Sequence, residues 1–221
     1  MTVAMTVIKI CGVKTLDDAR MVAAAGADMI GLNFYPASPR FIPPEEAQIM
    51  VNTLRAELGE TAPLFIGVFV NHPDVAGVMA QIGLDGAQLS GDEPPEALLA
   101  LNGRAYKAVR PADVAAAVEL AAAFAPFVPP DPHLPSLLVD AFHPQLFGGT
   151  GEQASDALVR AVQTSRLMLA GGLKPENVAA RVTAVQPWGV DVASGVERVP
   201  GVKDAERVRA FIENVREVVT E

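Results

Sequence analysis

The sequence predicts an α/β fold, a single-domain (β/α)8 TIM barrel with an eight-stranded parallel core, and three observations support this prediction. The chain contains eight short apolar runs, each followed by a stretch with helical character. In at least six cases a polar or glycine-containing signature comes directly after the run. The length of 221 residues suits one barrel domain. Because all strands of such a barrel end at the face that holds the active site, we expect these signatures to form one site.

The eight apolar runs are the predicted strands, and they are continuous rather than alternating in hydrophobicity. Strands that are buried on both faces show this pattern, which is typical of parallel sheets covered by helices. Strand followed by helix, repeated along the chain, implies parallel pairing with right-handed crossovers. The predicted strands are Val7–Ile10, Met29–Phe34, Leu64–Val70, Ala87–Leu89, Ala105–Val109, Leu137–Val139, Leu167–Ala170 and Val190–Val192.

The helices are predicted from residues that favour helix ends. Thr15 is a suitable N-terminal cap for the first helix, and Gly26 follows its alanine-rich body. Pro175 and Asp204 also stand where helices favour such residues. The predicted helices are Thr15–Ala25, Pro44–Leu58, Asp74–Ile82, Pro95–Leu101, Asp113–Ala123, Asp156–Thr164, Pro175–Val185 and Asp204–Val219.

One internal segment departs from this rhythm. Phe124–Pro135 contains five prolines, too many for a helix or a central strand. Because it joins a helix to the next strand, we expect it on the face opposite the active site, as a semi-rigid loop without a catalytic role. A partner-binding polyproline segment is the alternative. We expect residues 1–5 to be frayed and residues 1–221 to form one domain.

The composition limits the classes of function. Half of the residues are apolar, which is enough for a sizeable core, but no apolar run approaches the roughly 18 residues of a transmembrane helix. The net charge of −9 argues against nucleic-acid binding, which needs a basic surface. The start of the chain lacks a secretory-signal pattern, so we expect a cytoplasmic protein. The acidic surface, with no apolar stripe beyond the helices, favours a monomer.

Two charged residues stand among apolar neighbours, Lys9 in the first strand and Asp191 in the last. Side chains alternate along a strand, so Lys9 shares a face with Cys11. A lysine inside a barrel is costly unless it is paired, and the first and last strands are neighbours when a barrel closes. We therefore predict a buried Lys9–Asp191 ion pair. The functional alternative is that Lys9 lies close enough to Cys11 to favour its thiolate.

Cys11 and Asp140 are the candidate catalytic residues because each stands at the end of a predicted strand. A lone cysteine is often a small buried hydrophobe, but Cys11 precedes Gly12 at the barrel mouth, where thiols can be deprotonated near neutral pH. Asp140 is either a helix N-cap or an active-site carboxyl, and partial burial would suit it as a general acid. His143 is an alternative acid or an exposed loop residue. One cysteine and three scattered histidines show no metal-ligand spacing, so we expect no metal.

Three glycine-bearing loops on the late strands predict a phosphate site, because glycine lets backbone N–H groups approach a ligand closely. Loops after strands seven and eight are the usual phosphate site of this fold. Arg40, in the loop after strand two, is suited to hold a carboxylate bidentately or to form a surface salt bridge with Glu45 or Glu46. A ligand with phosphate at one end and carboxylate at the other would use both features. The candidate phosphate-binding residues are Gly149, Thr150, Gly151, Gly171, Gly172, Ser194 and Gly195.

The order and spacing of these motifs resemble the phosphoribosylanthranilate isomerase family, (β/α)8 enzymes of tryptophan biosynthesis. The resemblance runs from Lys9 to about Asp204. The matching stretches are Lys9–Gly12, Phe34–Arg40, Gly67–Asn71, Gln88–Glu93, Leu138–Asp140, Gly148–Gly151, Leu169–Leu173 with Pro175–Val178, and Gly189–Glu197.

This resemblance implies a role for each site residue. The family carries out the Amadori rearrangement of N-(5-phosphoribosyl)anthranilate to 1-(2-carboxyphenylamino)-1-deoxyribulose 5-phosphate, an aldose–ketose isomerisation that needs no cofactor. Cys11 would be the general base and Asp140 the general acid. Arg40 would bind the anthranilate carboxylate, and the glycine loops would bind the phosphate.

Two features depart from the family's pattern. Ser90 stands where the family commonly has histidine, and residues 152–156 lack the aromatic residues that often follow the glycine motif.

Three alternative functions are considered. One is an isomerase of histidine biosynthesis, which has an aspartate in place of the cysteine, and another is indole-glycerol-phosphate synthase, which needs a lysine acid at the barrel mouth. The third is a non-catalytic binder of phosphate ligands. Ser90 alone favours the binder, whereas Cys11, Asp140 and Arg40 together favour the isomerase.

Overall fold

The computed structural model describes residues 5–140, 156–162 and 164–218, and within them eight parallel strands close into a barrel. Each strand pairs with its neighbours in the chain, and the last pairs with the first. The predicted fold class is confirmed, and every predicted strand is correct to within one residue at each end. The strands are β1 (Val7–Cys11), β2 (Met29–Asn33), β3 (Leu64–Phe69), β4 (Gly86–Leu89), β5 (Ala105–Val109), β6 (Leu137–Val139), β7 (Leu167–Leu169) and β8 (Gly189–Val192).

Helices follow most of the strands and cover the outside of the barrel. Thr15, Asp74, Asp113 and Asp204 each accept a hydrogen bond from a backbone N–H of the first turn that follows, as N-cap residues do. None of the helices in the described ranges is long and apolar enough to cross a membrane. The α-helices are α1 (Leu16–Ala24), α2 (Pro44–Leu58), α3 (Val75–Ile82), α4 (Val114–Phe124), α5 (Asp156–Ala161), α6 (Pro175–Val185) and α7 (Ala205–Arg216).

Several elements differ from the prediction. Pro95–Leu101 is a 3-10 helix rather than an α-helix, because a proline pair starts it and Asn102, with a left-handed φ of 51°, stops it. So short a stretch gains little from α-helical hydrogen bonding, and brief 3-10 segments are common connectors. The helices α5 and α7 end at Ala161 and Arg216, each three residues before the predicted ends at Thr164 and Val219. After β8 the chain forms an unpredicted antiparallel hairpin of β9 (Glu197–Val199) and β10 (Val202–Lys203).

Among the residues that the structure describes, two apolar clusters stabilise the barrel. The larger one lies between the strands and the surrounding helices, and the smaller one fills the inside of the barrel. The interior is therefore a packed core rather than a pore. The interior cluster includes Met29, Ile66, Tyr106, Leu134, Leu138 and Met168.

The proline-rich segment lies at the end of the barrel where the strands begin. After a 3-10 turn at Ala125–Phe127, Leu134 enters the interior cluster and is 1% exposed. Arg166 holds the segment by donating to the carbonyl oxygens of Leu134 and Pro129 at 2.7 and 2.5 Å. The segment thus helps to fill the end of the barrel opposite the cleft in which the candidate site lies.

Candidate active site

A cleft of about 160 Å³ opens at the end of the barrel where the strands finish. The predicted residues Cys11, Arg40 and Asp140 all line it. Parallel strands deliver their carboxyl ends to one face, so residues far apart in sequence meet there. Its polar lining also includes Asn33, Gln88, Ser90, Arg110 and Asp191.

Cys11 is the last residue of β1, and its thiol occupies the space that a glycine leaves on the next strand. Gly31 is the register partner of Cys11 on β2, and a Cβ atom there would lie 2.9 Å from the sulfur. Burial raises the pKa of the Cys11 thiol, and the positive charge of Lys9 opposes this rise without cancelling it. Lys9 thus lowers the pKa of the thiol, as predicted, but burial raises that pKa by more.

A buried hydrogen-bond network around Lys9 forms the floor of the cleft. Lys9 Nζ donates to Asp191 Oδ1 at 3.0 Å and to Gln88 Oε1 at 2.9 Å, which confirms the predicted ion pair. The Tyr106 hydroxyl donates to the same Gln88 oxygen at 3.1 Å. Burial lowers the pKa of Lys9, but the interaction with Asp191 and smaller contributions raise it further, so Lys9 stays protonated. Gln88 Nε2 donates to Ser90 Oγ at 3.0 Å, so Ser90 is part of this network.

Arg40 enters the cleft from the loop after β2. Its Nε and Nη2 atoms donate to the two carboxylate oxygens of Glu197 at 2.9 and 2.8 Å. The alternative of a surface salt bridge between Arg40 and Glu45 or Glu46 is therefore wrong. The partner, Glu197, lies on the hairpin after β8. The stem of Arg40 crosses Gly12, where a Cβ atom would lie 2.5 Å from Arg40 Cδ. A side chain at this glycine would displace the arginine.

Asp140 directly follows β6 and borders two cavities, the cleft and a smaller one beside it. Its N–H donates to the Val109 carbonyl at 3.0 Å, which holds its backbone against β5. Arg110 follows β5, lines the same cleft and donates from Nη2 to the Ser90 carbonyl at 2.9 Å. Burial lowers the pKa of Arg110, although the charge of Asp140 raises it. Arg110 is not among the residues predicted from the sequence, although it directly follows an apolar run, as Asp140 does.

The loops after β7 and β8 meet around the smaller cavity, of about 40 Å³, which Gly171, Gly172 and Ser194 line. Gly171 and Gly172 have φ values of 87° and 62°, a region that favours glycine. Gly195 does not line the cavity, but it lies so close to the Leu173 carbonyl that any side chain there would overlap it. The other predicted phosphate-binding residues, Gly149, Thr150 and Gly151, lie outside the described residues. His143, the alternative acid, lies outside them as well.

Two side chains hold these glycine loops from behind. Asn177 Nδ2 donates to the Gly172 carbonyl at 2.9 Å, and Arg207 Nε donates to the Gly195 carbonyl at 2.9 Å. With their carbonyl groups engaged in this way, the loops have a defined backbone conformation, which a site built from backbone N–H groups requires.

The side chains in the cleft suit proton transfer and anion binding. A thiol, two carboxyl groups and two arginines line it, and such groups exchange protons or hold carboxylates and phosphates. Over the ranges that the structure describes, no group of three or more His, Cys, Asp and Glu side chains is arranged to hold a metal ion.

Comparison with known proteins decides the family. The model of the N-(5'-phosphoribosyl)anthranilate (PRA) isomerase family matches residues 8–214. The chain belongs to this family. It is an enzyme, an isomerase of tryptophan biosynthesis, as the motifs of its sequence predict.

Individual PRA isomerases match over almost their whole length. The enzyme of Geotalea daltonii is 40% identical over 219 residues, which cover 96% of this chain and 98% of that protein. The enzyme of Trichlorobacter lovleyi is 38% identical over 224 residues, covering 97% of this chain and 100% of that protein.

Crystal structures of PRA isomerases have the same barrel. That of Thermotoga maritima is 33% identical, with a TM-score of 0.82, and covers 96% of this chain and 98% of its own. That of Thermus thermophilus is 34% identical, with a TM-score of 0.78, and covers 95% and 98%. A further PRA isomerase structure, 32% identical with a TM-score of 0.78 and covering 96% and 98%, contains reduced 1-(o-carboxyphenylamino)-1-deoxyribulose 5-phosphate.

Membership of the PRA isomerase family favours the main prediction over the three alternatives. The synthase alternative also lacks support in the cleft, because Lys107 of β5 is held elsewhere. Its Nζ donates to the Glu93 carboxylate at 2.6 Å and to the Gly91 carbonyl at 2.7 Å. Ser90, the one feature that favours a non-catalytic binder, is accommodated by its hydrogen bond with Gln88.

Proposed function

We propose that this chain converts N-(5-phosphoribosyl)anthranilate to 1-(2-carboxyphenylamino)-1-deoxyribulose 5-phosphate, with Cys11 as the general base and Asp140 as the general acid. The observation that carries this proposal is that both side chains line one cleft, at the end of the barrel where the strands finish. Proton shuttling needs two groups in opposite protonation states around the same sugar. A thiolate and a neutral carboxyl meet this requirement.

The reaction proceeds through ring opening and one carbon-to-carbon proton shift. Asp140 donates a proton to the ring oxygen, the C1′–O bond breaks, and a protonated Schiff base forms between the sugar and the anthranilate nitrogen. Cys11 then removes the proton from C2′, and the electrons of that C–H bond neutralise the iminium to give an enolamine. Protonation at C1′ and loss of the proton on the C2′ hydroxyl give the ketone, so substrate and product are isomers. We expect no cofactor.

The environment of Cys11 supports its role as a base. Burial raises the pKa of the thiol, and the charge of Lys9 opposes this rise. The charge of Asp191 raises the pKa further, while Lys203 and Arg40 provide positive charge that lowers it. A thiolate with a raised pKa is the stronger base once it forms, and nearby cations stabilise it as it forms. The site thus combines high basicity with a means of forming the anion.

The two charged ends of the substrate have separate candidate sites. Arg40 is proposed to bind the anthranilate carboxylate. The cavity lined by Gly171, Gly172 and Ser194, together with the adjoining Gly195, is proposed to bind the phosphate through backbone N–H groups. Gly149, Thr150 and Gly151 are proposed to contribute from their own loop. Because Asp140 borders both cavities, a ligand in this orientation would pass the proposed acid.

We also infer that the enzyme is a cytoplasmic monomer. The excess of acidic residues, which gives a net charge of −9, opposes self-association through charge repulsion. A crystal structure of the Thermotoga maritima relative is that of monomers generated from a dimeric enzyme, so at least one relative is a dimer. Sedimentation equilibrium of this chain at micromolar concentration gives a mass of 23.2 kDa if it is a monomer, and twice that mass contradicts the inference.

Turnover measurements test the catalytic assignment. Loss of fluorescence of freshly generated phosphoribosylanthranilate is followed with the wild type, Cys11→Ser and Asp140→Asn. We expect rapid loss with the wild type and a decrease of kcat by about 10³-fold or more in each variant, since each removes one proton-transfer group. Both variants should still bind reduced 1-(o-carboxyphenylamino)-1-deoxyribulose 5-phosphate. A Cys11→Ser enzyme with near-wild-type kcat would refute the role of the thiol.

A further inference from the structure

A buried chain of three charged side chains connects the two ends of the candidate site. Arg40 donates to both oxygens of Glu197, and Lys203 Nζ donates to Glu197 Oε1 at 3.0 Å. The same Nζ atom donates to the carbonyl of Ala193 at 3.0 Å. Ala193 lines both cavities and immediately precedes Ser194 of the phosphate loop. The chain of contacts thus runs from the proposed carboxylate ligand to the proposed phosphate loop.

The hairpin after β8 places Glu197 and Lys203 side by side. They are register partners across the β9–β10 pair. The turn of this hairpin lies against the loop that carries Arg40, because a Cβ atom at Gly201 would be 2.6 Å from the Pro39 carbonyl oxygen. The hairpin is therefore packed directly against the Arg40 loop.

The burial of these charges indicates a defined geometry. The side chains of Glu197, Lys203 and Arg40 are 4%, 0% and 13% exposed. Buried charges are costly unless they are paired and hydrogen-bonded, so each member depends on the others. Burial alone would raise the pKa of Glu197, but the hydrogen bond from Arg40 and the charge of Lys203 lower it, so the carboxylate stays ionised.

The arrangement keeps Arg40 attractive to an anion. Glu197 uses the Nε–Nη2 edge of the guanidinium, and the other edge, formed by Nη1 and Nη2, is the one that a second carboxylate can bind bidentately. An Arg40–Glu197 pair alone would be neutral, and the charge of Glu197 would offset much of the attraction of Arg40 for a second carboxylate. Lys203 makes the sum of the three charges +1, so the site retains its attraction for an anion.

We propose that Glu197 and Lys203 are positioning residues that orient Arg40 for the substrate carboxylate and hold it in register with the phosphate loop. This inference rests on the proposed function, in which Arg40 binds the anthranilate carboxylate. It assigns selectivity for substrates with a carboxylate on the aromatic ring to the β9–β10 hairpin, outside the eight-stranded barrel.

Paired ligands test the proposal. Dissociation constants are measured for reduced 1-(o-carboxyphenylamino)-1-deoxyribulose 5-phosphate and for the same compound without the carboxylate. In Glu197→Gln we expect the affinity for the first ligand to fall about tenfold or more, and the affinity for the second to change less than about twofold. With substrate, KM rises more than kcat falls, because the variant loses binding of a group remote from the reacting atoms.

Glu57→Gln is the matched control. Glu57 also receives a bidentate pair of hydrogen bonds from an arginine, Arg20, but this pair lies on the outer helices. The substitution there should leave both dissociation constants unchanged. If Glu197→Gln does not fold, Glu197→Asp serves as a second variant. It keeps the charge balance but shortens the reach by one methylene, and it should show the same selective loss.

The outcomes separate the two proposals. A wild type that binds both ligands equally would overturn the carboxylate role of Arg40 and the positioning role with it. A wild type that prefers the carboxylate, together with Glu197 variants that lose affinity for both ligands equally or for neither, would overturn the positioning role alone. A selective loss for the carboxylate-bearing ligand supports it.

Discussion

Substitution of Gly31 by alanine tests whether the position of the Cys11 thiol controls turnover. Gly31 lies beside Cys11 on the neighbouring strand. A Cβ atom at Gly31 would lie 2.9 Å from Cys11 Sγ, 3.0 Å from its Cα and 3.2 Å from its Cβ. The backbone of β1 is hydrogen-bonded to β2 on one side and to β8 on the other. We therefore expect a Cβ atom at Gly31 to displace the thiol of Cys11 more than the backbone of β1.

The size of the effect follows from this overlap. Non-bonded heavy atoms rest at about 3.5–4.0 Å, so the sulfur must shift by roughly 0.6–1.1 Å. A displacement of about 1 Å of a reacting group costs on the order of 100-fold in rate. We therefore expect kcat/KM of Gly31→Ala to fall about 100-fold, equivalent to about 2.7 kcal/mol in the activation barrier. Overpacking should also lower the free energy of unfolding by about 1–3 kcal/mol.

A second glycine of the barrel provides the control. A Cβ atom at Gly86 would lie 2.9 Å from Leu134 Cδ2 and 3.2 Å from Ile66 Cδ1, which are ends of flexible side chains near the opposite end of the barrel. Gly86→Ala should lose comparable stability in urea but keep kcat/KM within about threefold in the fluorescence assay. A folded Gly31→Ala enzyme with kcat/KM within about threefold of the wild type would refute the reasoning, because the thiol would then tolerate displacement.

Three further predictions follow from the site. First, alkylation of Cys11, the one cysteine of the chain, should accelerate with pH up to an inflection above the ordinary thiol pKa of about 8.5, because burial raises its pKa. An alkylation inflection below the ordinary thiol pKa would contradict this. Second, Lys9→Met should lower the free energy of unfolding by about 3–5 kcal/mol, because it leaves Asp191 buried without a counter-charge. Urea titration should show the double variant Lys9→Met/Asp191→Leu recovering most of this loss, and equal instability of both variants would argue against the ion pair. Third, Gly195→Ala should weaken binding of inorganic phosphate about tenfold or more, because the new side chain overlaps the Leu173 carbonyl and separates the two loops. Isothermal titration calorimetry checks this, and unchanged affinity would remove Gly195 from the phosphate site.

The strands of this fold are predictable from the sequence because each is a local apolar run. Buried parallel strands need hydrophobic side chains on both faces, so the signal is complete within a few residues. Capping residues such as Thr15 and Asp204 are local in the same way, since each accepts hydrogen bonds from the turn beside it. The Pro95–Leu101 stretch shows the limit, because helical character alone does not distinguish a 3-10 from an α-helix in so short a segment.

Those site residues could be predicted whose position in the sequence, at or after the end of an apolar run, indicates a place at the mouth of the barrel. Cys11, Arg40 and Asp140 could be selected because each follows an apolar run, and the structure places them in one cleft. The Lys9–Asp191 pair was predictable as well, since closing a barrel makes the first and last strands neighbours. Arg110 carries the same positional signal in the sequence, since it directly follows the apolar run of β5, but it is not among the predicted residues.

The partner of Arg40 and the space beside Cys11 were decided by the tertiary structure. Glu197 stands 157 positions from Arg40 in the chain, and the hairpin that carries it has no strong pattern in the sequence. The place of Gly31 opposite Cys11 depends on the register of β1 with β2, which barrel closure determines. The sequence by itself therefore determined which residues stand at the ends of the strands, because hydrophobicity acts locally. Only the closed barrel decided which side chains touch, because such contacts depend on strand register and on loops that meet from distant parts of the chain.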